Sequence, residues 1–306
     1  VAVIFGGRSA EHEVSCASAA TIMARLDPRR YDVLPVFVAE DGTWAPDCDR
    51  PRDGALESIL ATVAELRTVD VVFPALHGRF GEDGTLQCVL DGFRVPYVGS
   101  GAAASAMGMD KEFTKRLLAA EGLSVADGVL LHGRPGQLPA TVRDRLGLPV
   151  YVKPARAGST IGVSRVDEWA ALPGAVARAR TEGDRVLVEE AVPGREVSLA
   201  VLEHRDGRLA VGPPADERLD HALLASLGDQ AVRAFRALGC TGLLRVDFLV
   251  GADGHAVVNG VNTLPDLSIE SSYARSWYAA GLDYSAVLDI LIGTALARAG
   301  SAVRLP

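Results

Sequence analysis

The sequence predicts an α/β chain: a parallel sheet with helices on its faces over the first hundred residues, then two α+β sub-domains. Two patterns carry this expectation. Apolar strands and helix-length segments alternate up to about residue 99, as a parallel sheet with crossover helices requires. Beyond that point strands come in pairs joined by short glycine-containing loops, and 306 residues are too many for one ordinary core.

The first strand is Val1-Ala2-Val3-Ile4-Phe5, followed by Gly6-Gly7 and a helix from Ser9 to about Leu26. Strands over 32–40 and 70–76, with helices from Leu56 to Leu66 and near Leu86, continue the alternation. Tyr97-Val98-Gly99-Ser100-Gly101 closes it with a boundary rich in glycine. A helix through Met109 to Glu121 follows, with Phe113, Leu117 and Leu118 on one face and Gly122 to end it. Next come a strand over 149–155, a loop over 156–162, a strand over 162–166, a helix from Leu172 to Arg180 and a strand over 185–192. Pro193-Gly194 marks a turn. The last segment reads as a strand over 196–203, a helix from about Leu223 to Leu238, strands over 243–250 and 255–262 around a turn at Ala252-Asp253-Gly254, an irregular loop to Ser272, and closing helices. The expected domains are 1–99, 100–193 and 194–306.

A net charge of -8 and no run of Lys or Arg give no electrostatic footprint for nucleic acid. Cys16, Cys48, Cys88 and Cys240 form no C-x-x-C pair, which argues for reduced thiols rather than zinc. No apolar run reaches the ~20 residues of a membrane span, and the chain starts on a strand with no basic leader; a cytoplasmic protein without a membrane partner is expected. Of 31 basic residues only three are lysine, Lys111, Lys115 and Lys153. A lysine retained in so arginine-biased a chain is a candidate for work that needs a compact point charge. Lys115, beside Arg116, is the one that best suits a solvated helix face.

Gly6-Gly7 between a strand and a helix could meet an anion, but GGRSAE does not satisfy the dinucleotide fingerprint G-x-G-x-x-G. No lysine follows a glycine, so a Walker loop is excluded. A nucleotide would instead be held by lysines on separate elements and by the loop RAGSTIG, where Gly158 and Gly162 allow close backbone approach and Ser159 or Thr160 could donate hydroxyls. Lys153 projects from the sheet face opposite Val150 and Val152. In LLRVDFLV, Leu244, Val246, Phe248 and Val250 form a core face, while Arg245 and Asp247 share the other. If that strand pairs with the next, Asp247 and Asn262 offer oxygen ligands suited to Mg²⁺.

The motifs FGGRSAEHEVS, LHGRFGEDGTLQ, MDKEFTK, VKPARAGSTIGVS, VLVEEAVPGREVS, GCTGLLRVDF and VNTLP run the length of the chain in one order. In that order the sequence resembles the D-alanine:D-alanine ligase family, and this implies an ATP-grasp fold: a Rossmann-like N-terminal domain followed by two ATP-grasp sub-domains. The resemblance implies that ATP phosphorylates the carboxylate of one D-alanine and that the amine of a second attacks the acyl phosphate, with Mg²⁺ or Mn²⁺ and a homodimeric assembly. By the same resemblance Lys111 and Lys153 hold phosphates, Glu189, Glu190 and Val192 line the adenine pocket, and Glu196 binds ribose. Glu11 would accept the first substrate's ammonium, Ser159 would act near the second amine, Arg245 would stabilise the oxyanion, and Ser271 would bind the second carboxylate. His77 is open to either a phosphate-side role or a loop-bracing hydrogen bond.

The sequence departs from the family in three places. Gly260 stands where the family has a metal-binding glutamate, and Asp266 where it has glycine after the proline. The mobile loop that carries a Tyr and a Lys has no counterpart between Glu203 and Leu223. Asp266 would suit a ligase with altered amino-acid substrates, and Gly260 a nucleotide-binding homologue with little turnover.

Overall fold

The computed structural model describes residues 1–45, 55–131, 138–156, 158, 161–215 and 219–302. Packing divides the chain into two compact units, one of Val1–Ala106, Ser198–Val246 and Asn262–Pro306, the other of Met107–Val197 and Asp247–Val261.

The alternation at the start of the chain becomes a four-stranded sheet of Ala2–Gly6 (β1), Leu34–Val38 (β2), Trp44–Ala45 (β3) and Val72–Pro74 (β4), in the order β3-β2-β1-β4. β1 pairs in parallel with β2 and β4, whereas the short β3 returns antiparallel to β2. The connecting helices are His12–Arg25 (α1) and Ala55–Leu66 (α2), and Thr85–Gly92 (α3) follows β4. Ala2, Val3 and Ile4 are fully buried, as a central parallel strand covered on both faces must be. Val3 packs among Ala19, Ile22 and Phe73, while Ala2 and Ile4 pack among Val36, Val72 and Leu86. Gly6 has φ +91°, and a Cβ there would lie 2.3 Å from the Val38 carbonyl oxygen. Only glycine therefore lets β1 turn at once toward α1.

A second sheet consists of Gly128–Leu131 (β5), Val150–Pro154 (β6), Ser164–Val166 (β7) and Val186–Glu190 (β8), antiparallel throughout in the order β5-β8-β6-β7. Ala140–Leu146 (α6 in chain order) and Leu172–Arg180 (α7) accompany it. Ala175, Val176 and Ala179 of α7 bury one face against Val150, Val152, Val186 and Val188. The period of two then sends Tyr151, Lys153, Leu187 and Glu189 to the other face, with Tyr151 opposite Glu189 and Lys153 opposite Leu187.

Where the sequence predicts one helix through Met109, the structure has two, Ala102–Met109 (α4) and Lys111–Ala120 (α5). The break is Asp110. Its fully buried carboxylate accepts the Glu112 and Phe113 N–H groups at 3.2 and 3.3 Å and so caps α5. The same carboxylate accepts from Arg156 Nε at 2.7 Å and from Arg185 Nη1, and Lys111 N–H donates to the Ala155 carbonyl at 2.9 Å. These contacts fix the start of α5 to the end of β6 and set its rotation. Thr114, Lys115 and Leu118 face inward, while Phe113 is exposed beneath the Arg185 guanidinium, which corrects the expected apolar face.

The third sheet has the order β10-β9-β11-β12, from Arg195–Glu203 (β9), Leu209–Gly212 (β10), Leu243–Val250 (β11) and Ala256–Asn262 (β12). Leu244, Val246, Phe248 and Val250 are buried, and Arg245 and Asp247 are half-buried, as the alternation requires. His221–Ala237 (α8), Ser272–Ala279 (α9) and Tyr284–Ala302 (α10) complete the described elements. Among the described residues no single helix is long and apolar enough to cross a membrane.

Asp110→Ala is expected to lower the unfolding free energy by about 3 kcal/mol, because it removes a cap and takes from Arg185 one of its two buried carboxylate partners, leaving Glu112. Arg156→Ala, at a side chain 57% exposed, should cost under about 1 kcal/mol. Urea unfolding measures both, and equal losses would contradict the assignment of Asp110 as the anchor of α5.

Candidate active site

The second unit brings two of the chain's three lysines onto one carboxylate, with Lys111 near enough to feel its charge. Lys153 reaches diagonally from β6 to β8 and pairs its Nζ with Glu189 Oε1. From the inward face of α5, Lys115 places its Nζ 2.7 Å from Oε2 of the same group. The side chains of Lys115, Lys153 and Glu189 are only 11%, 11% and 3% exposed. Among the described residues neither Lys115 Nζ nor Glu189 Oε2 has another hydrogen bond, so this contact is the one that each of the two atoms makes. Burial lowers the Lys115 pKa against the pull of Glu189. Lys111, half-buried at the first position of α5, has its pKa lowered to about 8 by burial and by the neighbouring Lys153 charge, with Glu189 acting in the opposite direction. Removing one partner from a buried ion pair typically costs about 3–5 kcal/mol, so this grouping is held as a unit.

The burial of Lys115 corrects the sequence reading, which put it on a solvated face. The remaining nucleotide-side candidates are less concentrated. Glu190 Oε1 accepts the Asp127 N–H at 2.9 Å, which fixes the end of β8 beside β5; Val192 is half-buried and Glu196 is exposed. Ser159 and Thr160 lie outside the described residues.

The first unit gathers a second polar cluster. His77 Nε2 is 3.0 Å from Ser18 Oγ, and its Nδ1 is 3.5 Å from Glu82 Oε1. Ser18 gives its only hydroxyl proton to Asp266 Oδ1 at 2.8 Å and accepts the Leu267 N–H at 3.1 Å. His77 Nε2 must therefore carry a proton to bond to Ser18. Burial disfavours the His77 cation, yet the carboxylates of Glu82, Asp266 and Glu11 outweigh it and raise its pKa. Of the two readings left open for His77, loop bracing is the one its contacts supply.

Glu11 sits at the start of α1 but makes no side-chain capping bond there. Its carboxylate lies over Gly78, where a Cβ would come 2.8 Å from Oε2. Asp266 also accepts the Ser268 N–H at 2.7 Å and the Ser268 hydroxyl at 2.8 Å. Its added charge thus ties the loop after β12 to α1. Ser271 caps α9, accepting the Ala274 N–H at 3.2 Å, and its hydroxyl proton remains to be donated. Arg245 is half-buried on β11. Sequence reasoning missed Ser18, Glu82 and Asp110; Glu82 lay inside LHGRFGEDG, and Asp110 was marked by its place before a lysine-rich helix.

The residues fit a metal carried in on phosphate better than a preformed metal cage. Among the described residues no three His, Cys, Asp or Glu side chains form a ligand group. Asp247 supplies one carboxylate on β11, and Asn262 Oδ1 already accepts the Leu264 N–H at 2.8 Å. A Cβ at Gly260 would meet nothing within 4 Å, so neither a bulge nor a close backbone contact explains that glycine.

Comparison with known proteins matches two family profiles, described as D-ala D-ala ligase N-terminus over residues 1–100 and D-ala D-ala ligase C-terminus over residues 117–224 and 214–293. A D-alanine:D-alanine ligase from Nocardia farcinica is 45% identical over 353 residues, covering 97% of this chain and 97% of that protein. One from Mycolicibacterium smegmatis is 44% identical, covering 97% and 95%. The first alignment is longer than the chain, so that relative carries internal segments with no counterpart here. The two matched segments of the C-terminal profile overlap at residues 214–224, across the end of the interval from Glu203 to Leu223. The structure of the Coxiella burnetii D-alanine-D-alanine ligase superposes with a TM-score of 0.87 at 30% identity, over 99% of this chain and 95% of that one. A Bacillus anthracis enzyme complexed with ATP gives 0.82 at 28% identity, over 98% of each chain.

Because the space beside Gly260 is open, Gly260→Glu is expected to change the unfolding free energy by less than about 0.5 kcal/mol. It should also shift the Mg²⁺ dependence of ADP release to lower concentration. A stable variant with an unaltered Mg²⁺ response would show that this strand position does not face the phosphates.

Proposed function

The chain belongs to the D-alanine:D-alanine ligase family, and on that premise we propose how its residues divide the work of an ATP-dependent ligase. The reaction joins two D-alanines at the expense of ATP, in peptidoglycan precursor synthesis. Lys111 and Lys153 hold the ATP phosphates, with Glu189, Glu190 and Val192 lining the adenine side and Glu196 at the ribose. Glu11 takes the ammonium of the first D-alanine, Ser159 acts near the second amine and Ser271 binds the second carboxylate. Arg245 meets the charge that develops on the oxyanion, where a preorganised donor is worth about 2.7 to 4 kcal/mol. Mg²⁺ or Mn²⁺ brought in on the phosphates would neutralise their oxygens, with Asp247 the carboxylate offered by the protein. Family membership also supports a homodimer in the cytoplasm.

The observation that carries this reading is the convergence of Lys115 and Lys153 on one buried carboxylate, with Lys111 within reach of its charge. Burial strips water from these ammoniums, and a polyphosphate restores the charge partners that burial removed. Arginine would serve poorly, because a planar fork does not fit a point-charge site.

Lys153→Ala is expected to abolish the thermal stabilisation given by ATP and to leave no D-alanine-dependent ADP release, with the melting temperature of the free protein still measurable as one cooperative transition. Lys153→Arg should recover little of either. Unchanged stabilisation by ATP in Lys153→Ala would remove this lysine from the nucleotide site.

A further inference from the structure

We propose that Lys115 is a positioning residue of the nucleotide site: it is the counter-ion that stays with Glu189 and so lets Lys153 leave that carboxylate for phosphate. The inference rests on the reading of Lys153 as a phosphate ligand and adds a residue to which no role in that site has been given.

The geometry divides one carboxylate between two cations. Lys153 pairs with Oε1 and Lys115 lies 2.7 Å from Oε2. A Lys153 ammonium held by Glu189 is not free to meet a phosphate. Nor can it simply leave, because Glu189 is 3% exposed and a bare carboxylate at that burial is strongly disfavoured. Lys115 removes the obstacle. It approaches from α5 while Lys153 approaches from β6, so the departure of one leaves the other in place. Its own position is fixed by the Asp110 cap and the Lys111 N–H bond to Ala155. Lys115 and Lys153 are equally buried, so what separates them is the element that carries each and the partner each can reach. Among the described residues Glu189 is the one carboxylate Lys115 pairs with, whereas Lys153 has the phosphate to exchange to, so Lys153 is the member of the pair that leaves.

The test is a double-mutant cycle on tripolyphosphate binding, which lacks adenine and so reports on the phosphate side alone. Wild type, Lys115→Met, Glu189→Gln and the double variant are titrated by calorimetry at pH 7, with Lys153→Ala as the control for the site. Lys115→Met is expected to weaken tripolyphosphate binding about tenfold or more, because Lys153 is then the only cation left to Glu189. In the Glu189→Gln background the same substitution should cost less than about twofold, since no carboxylate remains to hold Lys153. An equal loss in both backgrounds would show that Lys115 acts on phosphate directly and would overturn the inference. Unchanged affinity in Lys115→Met, with only a lower melting temperature, would reduce Lys115 to a structural ion pair and overturn it equally. Should Lys115→Met fail to fold, Lys115→Gln takes its corner of the cycle with the same expected outcomes. Wild-type binding that Lys153→Ala leaves intact would instead overturn the phosphate-site reading itself, and this inference with it.

Discussion

Burying a carboxylate as deeply as Glu189 is costly unless cations accompany it, and much of the second unit is arranged to supply them. β8 carries Glu189 on the face that α7 leaves uncovered. β6 brings Lys153 to the same face through the antiparallel register, and α5 brings Lys115 from outside the sheet. The rotation of α5 follows from Asp110, which caps the helix and ties it to Arg156 and Arg185. A structural interaction and a chemical one therefore share their supports: what fixes α5 also fixes the charge balance around the phosphate-binding lysines.

The first unit is organised around a second polar cluster, in which His77, Ser18, Glu82 and Asp266 share hydrogen bonds. Here Asp266 is drawn into the scaffold rather than left free, since three hydrogen bonds from Ser18 and Ser268 occupy it. That binding of the carboxylate weakens the argument for altered substrates built on its charge alone. Gly260 is the opposite case. A Cβ there would meet open space, so no packing constraint demands a glycine.

The strand and helix order was legible because both periods were clean: the VAVIFGG start, the Leu244 to Val250 alternation and the parallel β1 pairings all appear in the structure. What was not legible had competing local signals. Met109 to Glu121 reads as one apolar-faced helix, yet a single buried Asp110 divides it, and capping depends on partners, Arg156 and Arg185, that lie far along the chain. Lys115 looked solvated because it stands beside Arg116, while its burial is decided by Glu189, again distant in sequence. The scarcity of lysine did point at all three members of the cluster; the local context of one of them pointed away. β3, β5, α6 and β10 are short, and too few residues fell within any period to reveal them.

The central claim, that Lys111 and Lys153 meet phosphate while Lys115 stays with Glu189, is open to direct observation because the chain holds no other lysine. With isotope-labelled lysine, the side-chain NMR spectrum contains one signal for each. The account predicts that Lys111 titrates near 8 and Lys115 below the ordinary value of about 10.4. It also predicts that ATP moves the Lys111 and Lys153 signals while Lys115 keeps its place against Glu189. A Lys115 signal that titrates as a solvated lysine, or three signals that ATP leaves unmoved, would contradict it.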